Sequence, residues 1–167
     1  MKIVISDTNI FIDLININLL DTFLKFEYEI HTTDFVIAEL NDNQVKLLER
    51  YLKVNKIILE KANEEELFEI IKLQSKKRTL SVTDMSVYYF AEKQNALILT
   101  GDKPFRIYAE NNKVKVRGIL WVLDEILNQK LLNERILFGK LTKLMASNKR
   151  LPADACEKRL MKWKDNN

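Results

Sequence analysis

The chain has 167 residues, 47% of them apolar, and a formal net charge of +3; these totals suit one folded domain with a sizeable core and exclude a disordered chain. With one cysteine, Cys156, and one histidine, His31, an internal disulfide and a zinc site built on several His or Cys ligands are excluded, and every Ser–His–Asp or Cys–His scheme would rest on His31 alone. No apolar run approaches the ~20 residues of a bilayer span, so a cytoplasmic protein with no membrane partner is expected.

In chain order, Lys2-Ile3-Val4-Ile5-Ser6 is an apolar run that stops at Asp7. A strand this uniformly apolar suits the centre of a parallel sheet covered on both faces. A helix is expected over Asn16–Phe26, a second strand near Glu29–Thr33, and a helix capped by Asp34 and carrying Glu39. A further helix is expected over Asn43–Val54 and a weak strand at Lys56–Leu59. The next helix opens on Glu64-Glu65-Glu66 and closes on Lys76-Lys77-Arg78, acids and bases placed to complement the helix dipole. Ser81-Val82-Thr83-Asp84 has the pattern of a capping box opening a helix to about Lys93. Ala96 to Thr100 repeats the design of the first strand, an apolar run ended by Gly101-Asp102. A helix follows Pro104, then a short strand at Val114–Val116, helices over 119–128 and 133–146, and a last one from Pro152. Strands alternating with helices predict an α/β protein, a three-layer α/β/α sandwich with a central parallel sheet. Residues 1–127 read as one domain. Residues 128–167 read as a helical C-terminal extension packed on that domain or on a partner.

Ligands of open α/β sheets sit outside the carboxyl ends of the strands, where Asp7 and Asp102 stand. Each acid also has an ordinary structural reading: turn residue for Asp7 and Asp102, solvated helix acid for Glu39, helix cap for Asp84. The set says more than any member. Carboxylates gathered at one sheet edge repel unless a cation neutralises them. Hard cations such as Mg²⁺ or Mn²⁺ take oxygen ligands and assist phosphodiester hydrolysis without a histidine.

Ser6-Asp7-Thr8-Asn9, Ile37-Ala38-Glu39-Leu40, Thr83-Asp84 and Leu99-Thr100-Gly101-Asp102 together resemble the PIN-domain nucleases over about residues 2–125. The resemblance implies a metal-dependent endoribonuclease in which Asp7, Glu39, Asp84 and Asp102 are the catalytic, Mg²⁺- or Mn²⁺-binding acids. It matches Thr8, Asn9 and Thr100 to supporting polar positions. Many bacterial members are toxins of toxin–antitoxin pairs, so an antitoxin protein joins RNA as an implied partner. The family's further acid after the last motif is absent from Lys103-Pro104-Phe105-Arg106, which bears on a second metal. Lys103 and Arg106 are candidate RNA contacts beside the acids, and Lys113, Lys115 and Arg117 follow in a β-prone run. The amphipathic tail admits a homodimer. It also carries a rival reading, a non-catalytic module binding RNA or protein through Lys158–Lys164 and Trp163. A haloacid dehalogenase-type phosphatase would need an acid at Asn9.

Overall fold

The computed structural model describes residues 2–165; Met1 and the last two residues of the expected extension lie outside the described residues. The chain runs β1 (Lys2–Ser6), α1 (Thr8–Asn16), α2 (Leu20–Phe23), β2 (Tyr28–Thr33), α3 (Asp34–Glu39), α4 (Asp42–Leu52), β3 (Ile58–Glu60) and α5 (Glu64–Lys76). It continues through α6 (Val82–Gln94), β4 (Leu97–Leu99), α7 (Lys103–Asn111), β5 (Val116–Arg117), α8 (Ile119–Asn128), α9 (Glu134–Ser147) and α10 (Ala153–Asp165). All strand pairings are parallel, in the order β3-β2-β1-β4-β5. The result is the expected α/β/α sandwich, with β1 at its centre and Val4 and Ile5 fully buried.

The sheet winds outward in both directions from β1. Its strand order reverses between β1 and β4, where the connections leaving the two adjacent strands run in opposite directions and open a crevice at the carboxyl ends. Ser6 pairs with Leu99 in that register. The acids that follow these two strands therefore start from adjacent points on the same edge.

Several boundaries differ from expectation by a few residues, β3, α4 and β5 among them, and two differences matter for the site. The helix expected over Asn16–Phe26 is only the four-residue α2, and a nine-residue helix that was not expected, α1, follows Asp7 directly. Burial of Ile10, Phe11 and Leu14 on the core side of α1 outweighs the poor intrinsic helix propensity of its β-branched residues. Asn18, with φ of 53°, then turns the chain in a left-handed conformation that asparagine tolerates. The cap of α3 is Thr33, whose side chain accepts from the Val36 N–H, and Asp34 is the first helical residue.

The C-terminal helices fold back onto the same body. Leu137, Leu141 and Leu144 of α9 and Cys156 and Trp163 of α10 are buried in the common core. Polar ties secure them: Lys140 Nζ donates to the Ile17 carbonyl at 2.7 Å, and the Asn148 amide to Asp13 at 2.9 Å. Arg159 grips both oxygens of Asp124 at 2.9 and 2.5 Å, a two-pronged geometry that fixes orientation as well as charge. Among the described residues no helix is long and apolar enough to cross a membrane.

Candidate active site

The site is built outward from Asp7. Its backbone N–H donates to the Leu99 carbonyl at 2.9 Å, extending the β1–β4 pairing by one residue. Its side chain turns the corner into α1 by accepting from the Thr8 N–H at 2.8 Å. The other carboxylate oxygen accepts from the Thr100 hydroxyl at 2.7 Å and from the Asn9 amide at 2.5 Å. Thr100 is fully buried and Asp7 only 4% exposed, so both oxygens are held by fixed donors.

The same network reaches the second strand's acid. Asn9 Oδ1 accepts from the Gly101 N–H at 2.6 Å, and Thr100 Oγ1 accepts from the Asp102 N–H at 3.0 Å. A Cβ on Gly101 would stand 3.0 Å from Asn9 Oδ1, so glycine is what lets the loop approach this closely. Asp102 then caps α7, accepting from the Phe105 N–H at 2.7 Å, with Pro104 in the first turn.

The remaining two acids arrive on helices. Asp84 sits in the third position of α6 in a completed capping box: the Ser81 hydroxyl accepts from its N–H at 2.9 Å, and its own Oδ2 accepts from the Ser81 N–H at 2.7 Å. Glu39, at the end of α3, is exposed, and it accepts from the Thr8 hydroxyl at 2.6 Å. Thr33 and Ser86, buried with their hydroxyls 2.8 Å apart, tie α3 to α6. These two residues position the elements that carry Glu39 and Asp84, and sequence reading missed them. The one available signal was a strand ending in two threonines next to a helix start, and Asp34 seemed the better cap.

The four acids are close enough to repel. Burial pushes the Asp7 carboxyl up to about 6, the charges of Asp84 and Glu39 adding to it, while hydrogen bonds from Thr100 and Thr8 oppose the shift. Burial likewise raises Asp84, with Asp102 and Glu39 contributing, against the hydrogen bonds from Ser81. Asp84, Asp102 and Glu39 each have one oxygen held by a protein donor. The second oxygen of each has no hydrogen bond among the described residues. An all-oxygen, net-negative set with uncommitted carboxylate oxygens fits a hard divalent cation. Among the described residues no three His, Cys, Asp or Glu side chains are gathered closely enough to hold a metal ion as they stand.

The expected basic contacts divide. Lys103 opens α7 next to Asp102, is exposed, and pairs with no carboxylate among the described residues. Arg106 is folded inward instead. Its guanidinium donates to the Thr100 carbonyl at 3.1 Å and the Val116 carbonyl at 3.4 Å, and lies 3.5 Å from Glu110. It clamps β4 to β5, so its charge serves the scaffold before any ligand. Lys113 and Lys115 lie at the other end of the sheet, before β5. His31 is remote in function: its ring nitrogens lie 2.5 Å from Glu60 and 2.7 Å from Glu29.

A five-stranded parallel sheet with acids collected at its strand-order reversal defines a class of α/β proteins with a carboxylate site. The chain belongs to the PIN domain family, whose sequence profile matches residues 3–165. Among solved structures it is similar to PAE2754 from Pyrobaculum aerophilum, with a TM-score of 0.54 at 16% identity over 76% of this chain and 98% of that one. It is also similar to FitAcB from Neisseria gonorrhoeae, with a TM-score of 0.43 at 16% identity over 68% of this chain and 95% of that one. No curated protein sequence matches the chain.

Proposed function

We propose that the chain is a metal-dependent endoribonuclease that hydrolyses RNA phosphodiester bonds at the edge carrying Asp7, Glu39, Asp84 and Asp102. The observation that carries this reading is the gathering of the acids at the sheet's reversal point: one hydrogen-bond network joins Asp7 to Asp102 through Thr100 and Asn9, and Thr8 ties Glu39 beside them. Family membership agrees with it. Asp7, Asp84 and Asp102 would hold Mg²⁺ or Mn²⁺, with Glu39 completing the ring directly or through water. Such a cation supplies Lewis-acid chemistry, acidifying water and offsetting charge that develops on the phosphoryl group.

The chain's own residues do the positioning. Thr100 and Asn9 fix Asp7 in one rotamer, and Thr8 orients Glu39. The capping box at α6 and the Asp102 cap at α7 keep Asp84 and Asp102 on rigid helix starts, as a preorganised site requires. Lys103, exposed beside Asp102, would meet an RNA phosphate. The tail is less suited to be the main binding surface, since Trp163 is buried at 1% exposure.

The test is cleavage of total RNA and of tRNA by the wild type and Asp102→Asn, with Mn²⁺ or with EDTA. Asparagine caps a helix as well as aspartate, so the variant keeps its fold. Metal-dependent cutting that falls at least about 100-fold in the variant supports the reading; equal cutting by both proteins overturns it.

A further inference from the structure

At the edge of the sheet opposite the acids, the starts of β1, β2 and β4 and the turn into β5 line an open groove of about 670 Å³. That volume lies in the ~300–1,000 Å³ range of ligand sites. Its charge is one-sided. Lys2, Lys113, Lys115 and Arg117 line it and are exposed, and none of them pairs with a carboxylate among the described residues. Glu92 is the one acid on the described wall, and its carboxylate accepts from the Tyr88 hydroxyl at 2.8 Å.

Rings stand beside the charges. Trp121 and Tyr28 both line the groove, their rings 5.7 Å apart and nearly perpendicular at 78°. Phe26 packs edge-on to Trp121 at 6.4 Å from behind, so the indole is partly exposed yet held in place. A nucleotide strand offers both a base face that stacks on a ring and a phosphate that meets lysine.

We infer that this groove binds single-stranded RNA, with backbone phosphates on Lys2, Lys113, Lys115 and Arg117 and a base stacked on Trp121. Aromatic faces set among basic side chains are the common form of single-strand recognition. The inference needs no cleavage chemistry and stands apart from the reading of the acidic edge.

The experiment measures binding of a fluorescein-labelled single-stranded RNA 12-mer to the full chain in EDTA, by anisotropy across a salt series and by tryptophan emission. Trp163 is buried, so quenching reports Trp121. Two folded variants, Lys113→Glu/Lys115→Glu and Lys2→Glu/Lys115→Glu, are compared with the wild type. The wild type binds with quenching. Each variant binds about tenfold or more weaker, and its slope of log K on log salt is shallower by about 1.4, roughly 0.7 for each phosphate contact removed. Polyglutamate does not displace the RNA. Wild-type affinity in both variants, binding without quenching, no binding by the wild type, or displacement by polyglutamate overturns the inference. Failure here leaves metal-dependent cleavage untouched, and loss of cleavage leaves this binding untouched.

Discussion

Asp7 is the residue on which the rest of the site depends, because both of its oxygens are committed to fixed donors while its charge has no counter-ion among the described residues. In metal-free protein its carboxyl, raised from 3.8 to about 6, is protonated more readily folded than unfolded. Its contribution to stability is thus fully present below about pH 4 and lost as pH rises through 6, a change on the order of 3 kcal/mol. Denaturant midpoints in EDTA should therefore fall between pH 4 and pH 6.5, and Asp7→Asn should flatten that fall. A variant with an unchanged pH profile would show that Asp7 is not the titrating group. Asp7 and Asp102 stand out in the sequence because each follows an apolar run, Glu39 because it lies among apolar residues, and Asp84 because it completes a capping-box pattern. Arg106 does not: its neighbours in sequence suggest a free cation, and only the folded chain shows two backbone carbonyls within its reach.

At the scale of the element, three of the four acids also end or begin helices. Asp7 and Asp102 cap α1 and α7, and Asp84 closes the box at the start of α6. Structural and chemical roles are thus joined in the same side chains, which is why neither reading of Asp84 displaces the other. Ser81→Ala removes the hydroxyl that accepts from the Asp84 N–H and should cost about 1 kcal/mol. By loosening Asp84 it should also lower kcat while leaving KM nearly unchanged. A melting temperature that drops with no change in kcat would confine the box to stability. The Ser81-to-Asp84 box could be read directly because its signal is four residues long. The early helix α1 could not, since Thr8–Asn16 is rich in β-branched residues and only burial against the sheet makes it helical. The cap of α3 was misplaced by one residue for a related reason: aspartate and threonine cap comparably well, and the strand's end decides between them.

Across the whole molecule, the parallel order β3-β2-β1-β4-β5 assigns the two edges different chemistry. The carboxyl edge collects acids, and the groove at the amino edge is lined by lysines, Arg117 and Trp121. The alternation of strands and helices made the sandwich legible, but not how the tail meets it. Sequence leaves an amphipathic helix free to face its own chain or another, and here α9 and α10 bury Leu141, Cys156 and Trp163 in the common core. Trp163→Ala should accordingly cost about 3–5 kcal/mol, read as a shift in the urea midpoint. A cost near zero would mean that α10 is dispensable to the fold. The central claim is that acids from four separate segments form one cation site. Calorimetric titration of Mn²⁺ into metal-free wild type and Asp84→Asn at pH 7 tests it most directly. The account predicts saturable binding by the wild type and at least about tenfold weaker binding by the variant, with both proteins melting alike. Equal Mn²⁺ affinity in the two folded proteins, or none in the wild type at millimolar metal, would contradict it.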